Sequence, residues 1–179
     1  MNTKELESFL IHNGRIWVQA QWDYHRPGAR ALTDDEKTAF LPFFGGDILN
    51  ATRVSVVPII ENPAFYATLP SVLVGQLIDF TKMAGITFLD TILVSRICHP
   101  QDPPARSLLF HELVHVVQYQ LLGRDKFVEE YIQGWMASDH VYDQIPLEKC
   151  VFALESRYNE RPLETFSVER EVRRFFGFV

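Results

Sequence analysis

Apolar positions along the chain change period near the middle. Arg53 to Ile60 is dense in Val and Ile and reads as a strand. Ile86-Thr87-Phe88 and Ile92-Leu93-Val94 flank Leu89-Asp90-Thr91, which predicts a tight hairpin or one kinked strand. Beyond these, helical patterns dominate. A helix from Pro103 to Leu122 is expected, with Asp102 as its cap, prolines in its first turn and Gly123 as its stop. Asp125 is placed to cap DKFVEEYIQGWMAS, Pro146 opens PLEKCVFALESRYNE, and Leu163 to Phe176 repeats Val and Phe at helical spacing.

The first third reads as a cover segment over residues 1–50. It starts with a short helix near Thr3 to Ile11, followed by WDYHRPGAR as a polar loop. Thr33 with Glu36 makes a capping box for a helix running toward Pro42, and Gly45-Gly46 reads as a turn. The stretch SVLVGQLIDFTKM reads as a further helix ended by Gly85. No internal repeat is visible. The element order predicts an α+β fold: a small sheet or hairpin, then a mainly helical C-terminal half, with a cleft between strands and helices.

At 179 residues the chain suits one well-buried domain. A net charge of −6 with scattered Lys and Arg gives no reason to bind nucleic acid. No apolar run approaches the roughly 20 residues of a membrane span, and the opening MNTKELESFLIHNGR mixes charges where a secretion signal is apolar, so a cytoplasmic location is expected. Cys98 and Cys150 are expected as free thiols in that compartment. Phe175, Phe176 and Phe178 suit either a partner surface or a terminal helix docked on the core.

One motif carries chemistry. His111-Glu112-Leu113-Val114-His115 is an HExxH sequence. Residues four apart on a helix share a face about 6 Å apart, so both imidazoles can reach one Zn²⁺. Glu112 is turned about 100° from His111, a position from which a carboxylate can act as general base without occupying the metal. The flanking Leu108, Leu109, Phe110, Leu113, Val114, Val116 and Val117 make the helix apolar nearly all round. Two histidines and a glutamate inside so apolar a helix need compensation, and a divalent cation compensates all three together.

A hydrolytic zinc site usually takes a third protein ligand and leaves one position open. Glu148, in the first turn of the helix opened by Pro146, is the favoured candidate, with Asp139 and His140 as alternatives. Glu155 lies seven residues further, about 10 Å along the helix axis, so it suits support of a ligand histidine rather than ligation beside Glu148.

The stretch SLLFHELVHVVQYQLLG, with Ile145-Pro146-Leu147-Glu148, Ala153 and Glu155 after it, resembles the HExxH zinc peptidases related to the DUF4157 domain, whose motif commonly reads HELxHVxQ. The resemblance covers residues 85–161, the expected metal-site core of a single zincin-like domain over residues 1–179. In the wider gluzincin group a glutamate on a later helix completes the site, which implies Glu148 here, and a Tyr or His often stabilises the oxyanion, a role for which the resemblance makes Tyr142, His140 and Tyr158 candidates. Ser138-Asp139 with Tyr142 echoes the GTxDxxYG motif of aspzincins without its glycines, which keeps Asp139 open. The function expected is zinc-dependent hydrolysis of a peptide or protein substrate, with Glu112 as base. Two other readings stand beside it. One is a catalytically silent zinc-binding domain, its fourth position closed by Cys98, His99 or a second carboxylate; the other is an amidase on a non-peptide substrate.

Overall fold

The computed structural model describes residues 2–97, 105–161 and 163–178. Among these, eight α-helices surround one four-stranded sheet in an α+β arrangement that is mainly helical. The first helix, α1 (Thr3–His25), is far longer than its sequence suggests and absorbs the Trp22 to His25 part of the expected loop. Asn2 and Glu5 form a capping box at its start, and it stops where Pro27 restricts the residue before it. Strand β1 (Arg30–Ala31) follows. Then comes α2 (Asp34–Phe40), capped by Thr33 and Glu36 as predicted. Gly45 caps α3 (Gly46–Ala51), so the glycine pair begins a helix rather than only turning the chain.

Strand β2 (Arg53–Val57) ends three residues before Ile60. Between it and the hairpin the expected long helix is absent. Only α4 (Ser71–Val74) forms, ended at Gly75, and Phe80–Lys82 makes a single 3₁₀ turn. Glycine after one turn of β-branched residues is poor helix material, and turns take over. Strands β3 (Gly85–Phe88) and β4 (Thr91–Ser95) form the hairpin, paired antiparallel from Gly85 opposite Val94 to Phe88 opposite Thr91. Leu89 turns it at φ 58°, an unusual angle for leucine. The next residue, Asp90, is clamped by Trp22 Nε1 at 2.7 Å and by Arg26 Nη2 at 2.9 Å. The sheet order is β1-β2-β4-β3, with β2 and β4 parallel, so β3 is an edge strand.

Helix α5 (Ala105–Leu122) carries the motif; the predicted cap Asp102 and start at Pro103 lie outside the described residues. Helix α6 (Arg124–Ala137) is capped by Gly123, not Asp125. Gly123 closes α5 by donating to Tyr119 O and opens α6 by accepting from Phe127 N, and its φ of 75° is one that glycine adopts freely. Helix α7 (Pro146–Glu160) starts at its proline as expected, and α8 (Val168–Phe175), capped by Ser167, begins five residues later than Leu163.

Helix α5 runs between two hydrophobic clusters. On one side Phe110, Leu113, Val114 and Val117 pack with α2, α3, α7 and α8 residues such as Phe40, Ile48, Val151 and Val172. On the other side Tyr119 joins Leu10 and Val18 of α1, Phe88 of β3 and Phe127 and Trp135 of α6. Cys150 is buried and free, and Cys98 lies outside the described residues. Phe176 packs on the core while Phe175 and Phe178 stay largely exposed, so α8 docks and leaves two rings outside. No helix among the described residues is long and apolar enough to cross a membrane.

Candidate metal centre

The motif helix presents His111, Glu112 and His115 in its buried middle, and the first turn of α7 brings Glu148 to them. Contacts along the two helices fix the approach. Gln118, wholly buried on α5, donates from Nε2 to Leu147 O at 3.0 Å, immediately before Glu148. Gly134 of α6 lies where a Cβ would sit 2.6 Å from Pro146, so α6 lets the start of α7 come close.

His111, His115 and Glu148 offer ligand atoms that all lie within 4.8 Å of one another, in a buried group that can hold a metal ion. His111 Nε2 lies 3.4 Å from Glu148 Oε2, and His115 Nε2 lies 3.4 Å from Oε1. The other ring nitrogens are taken. His111 Nδ1 meets Glu155 Oε2 at 3.0 Å, and His115 Nδ1 meets Gln118 Oε1 at 2.8 Å. Since the carboxylate and the amide oxygen only accept, both Nδ1 atoms donate, and both Nε2 atoms turn lone pairs toward Glu148. Glu155 is in turn held by Ser107 Oγ at 2.6 Å, and Asn159 Nδ2 donates to that hydroxyl at 2.8 Å. This is the outer support that orients metal-ligating imidazoles.

Glu148 is 1 % exposed, and its two oxygens differ. Oε1 accepts from Tyr131 OH at 2.7 Å and from Tyr142 OH at 2.8 Å. Oε2 has no hydrogen-bond partner. A buried carboxylate oxygen with nothing to accept costs about 1–3 kcal/mol or more, and a cation between it and the two Nε2 atoms removes that cost. The donor set of two imidazoles and one carboxylate therefore fits a divalent transition metal.

The electrostatics agree. Without a cation, burial pushes the His111 imidazole down, but the carboxylates of Glu148 and Glu155 facing its two nitrogens outweigh it and raise the group to about 10, so a bound metal would take the place of a proton at Nε2. Burial likewise pushes Glu148 up, and His115 and His111 more than reverse this, holding it ionised well below the usual carboxylate range. The cluster thus attracts positive charge. Glu112 behaves differently: burial dominates over the nearby His111 and His115 and pushes its carboxyl above the ordinary range. Thr87 Oγ1 on β3 donates to Glu112 Oε2 at 2.7 Å, and Gly85 gives the other oxygen room, since a Cβ there would lie 2.7 Å from Oε1.

The remaining sequence candidates divide. Glu155 backs His111 as expected, and Tyr142 reaches the centre through Glu148. Asp139 and His140 lie outside the cluster: both are exposed with positive φ, and His140 stacks on Trp135 at 4.1 Å. Tyr158 stacks on Phe110 at 4.3 Å, within the other hydrophobic cluster, so it is a packing residue. Cys98 and His99 lie outside the described residues. Sequence reasoning missed Tyr131 and Gln118. Gln118 was readable as the residue three beyond His115, on the same helix face. Nothing local marks Tyr131. Comparison of the chain with family models, curated proteins and solved structures gave no match.

Proposed function

We propose that the chain is a zinc-dependent metallopeptidase, with Zn²⁺ held by His111, His115 and Glu148 and with Glu112 as general base. The unpartnered Glu148 Oε2, buried and 3.4 Å from His111 Nε2 in a group whose ligand atoms all lie within 4.8 Å of one another, is the observation that supports it most. A zinc ion bound there supplies a Lewis acid that polarises a carbonyl and acidifies a water. Glu112 accepts the proton that water gives up and delivers it to the leaving amine, so that water is added across the C–N bond and a carboxylate and an amine result. Tyr131 and Tyr142 hold Glu148 by Oε1, which leaves Oε2 unpartnered 3.4 Å from His111 Nε2. As an edge strand beside Glu112, β3 offers backbone groups to an extended peptide.

The test begins with metal. About one zinc per chain is expected in the wild type, lost in Glu148→Ala and retained in Asp139→Ala. Glu112→Gln is expected to keep its zinc while hydrolysis of a mixed peptide library falls by about 10²–10⁴-fold. A wild type that takes up no zinc on reconstitution overturns the centre, and turnover surviving in Glu112→Gln overturns the mechanism.

A further inference from the structure

A cavity of about 120 Å³ adjoins the metal centre on the side of Glu112, His115 and Glu148. Its far walls come from the N-terminal layer, outside the part of the chain that resembles zinc peptidases: Trp17 and Val18 of α1, Phe65, Ile78 and Phe80 of the segment before the hairpin. Helix α6 closes it with Phe127 and Trp135. Among the described residues no Asp, Lys or Arg lines it, and the acidic groups there are Glu112 and Glu148, both at the metal end. The chamber is therefore polar at one end and apolar along the rest. The space is well above the roughly 10–15 Å³ that one water needs, but an apolar chamber holds water poorly and takes apolar molecules instead.

We propose that this chamber binds an uncharged apolar group attached to the carbonyl that is hydrolysed, so that the substrate is an amide carrying either a large aromatic side chain or a medium-length acyl chain. This rests on the hydrolase reading for the word substrate, but the chamber's ligand chemistry stands without it. The polarity gradient sets the orientation: the carbonyl lies at Glu112 and Glu148, where the charged groups are, and the apolar group runs away toward Ile78 and Phe80. The reverse orientation would bury a carbonyl among rings that offer it little. Fixing one end of the substrate in this way also positions the scissile bond, a use of binding away from the reacting atoms.

The test uses the full-length protein stripped of metal, with two probes that carry no metal-binding group: 1-octanol for the acyl source and indole for the aromatic one. Binding is followed by isothermal titration, and for octanol also by the fluorescence of Trp17 and Trp135. The expected result is saturable binding of one molecule per chain, weakened about tenfold or more by Ile78→Asp, which puts a charge into the chamber from a half-buried position. Ile78→Phe, which narrows the same wall without a charge, should weaken octanol and indole as well and covers the case in which Ile78→Asp does not fold. Tighter octanol assigns an acyl chain, and tighter indole an aromatic side chain. Absence of saturable binding by either probe, or wild-type binding in a folded Ile78 variant, overturns the proposal. Zinc uptake on reconstitution of the same preparation separates the two ideas. Probe binding by a protein that takes up no zinc removes the hydrolase and keeps the chamber, whereas zinc uptake without probe binding does the reverse.

Discussion

The two sides of α5 are made from similar residues and do different work. Facing α2, α3, α7 and α8, Phe110 stacks flat on Tyr158 at 4.3 Å and meets Phe44 edge-on at 5.2 Å, and the rings fill the space. Facing α1 and α6, comparable aromatic groups line the walls of a cavity that ends at charged side chains. One side is a core that fixes the helix; the other is a lining that uses it. An apolar helix surface therefore does not by itself mean close packing, and what separates the two sides is whether the layer opposite closes down on it.

The largest expected effect tests that contrast in stability. Phe110→Ala removes a fully buried ring from the filled side and should cost about 3–5 kcal/mol in denaturant unfolding. Ile78→Ala, on the cavity wall, should cost less than about 1 kcal/mol because its side chain is only half-buried against open space. Equal losses at the two positions would show that the cavity side is as much a structural core as the other.

A smaller effect is expected where the two sides meet. Gln118 is wholly buried and joins His115 Nδ1 to Leu147 O, tying the metal centre to the start of α7. Gln118→Leu keeps the volume and leaves both partners without a hydrogen bond, a cost of about 1–3 kcal/mol in stability. Because the amide also fixes the imidazole, metal affinity should fall about 10–100-fold, measured by competition with a chelator. Unchanged affinity alongside lost stability would make Gln118 a packing residue and the orientation of His115 independent of it.

Much of this was readable in the sequence wherever short-range chemistry decides the outcome. The Thr33–Glu36 box, the proline opening α7 and the hairpin around Leu89-Asp90 are local signals, and each appears where expected. His111, His115 and Glu148 also come together in one buried group that could hold a metal ion, because HExxH puts two imidazoles on one helix face and the first turn of α7 brings a carboxylate to them. The misses are of another kind. Helix α1 runs on through Trp22 to His25 because its residues pack on α6 and β3 and clamp Asp90, contacts between distant parts of the chain. The stretch from Gly75 on is apolar without being helical, and its Leu77, Ile78 and Phe80 serve as cavity wall. Tyr131 reaches Glu148 from a different helix. The cavity itself is a property of how three layers fail to meet, which no single segment records.

The clamp on Asp90 gives the smallest and most local test. Burial pushes this carboxyl up, but the hydrogen bonds from Arg26 and Trp22 outweigh it, and its pKa is lowered. A lowered native pKa means that the carboxylate contributes stability above its unfolded value near 3.9, and that this contribution fades as pH falls through the native value. Asp90→Asn should therefore destabilise the protein by about 1 kcal/mol at neutral pH, with the gap to wild type closing in acid. The clamp joins the end of α1 to the turn of the hairpin, so it holds the N-terminal layer over the cavity while leaving the filled side untouched. Octanol binding in this variant should weaken in step with stability. A pH-independent loss would assign the effect to the backbone of the turn, where Leu89 already sits at positive φ, rather than to the charge.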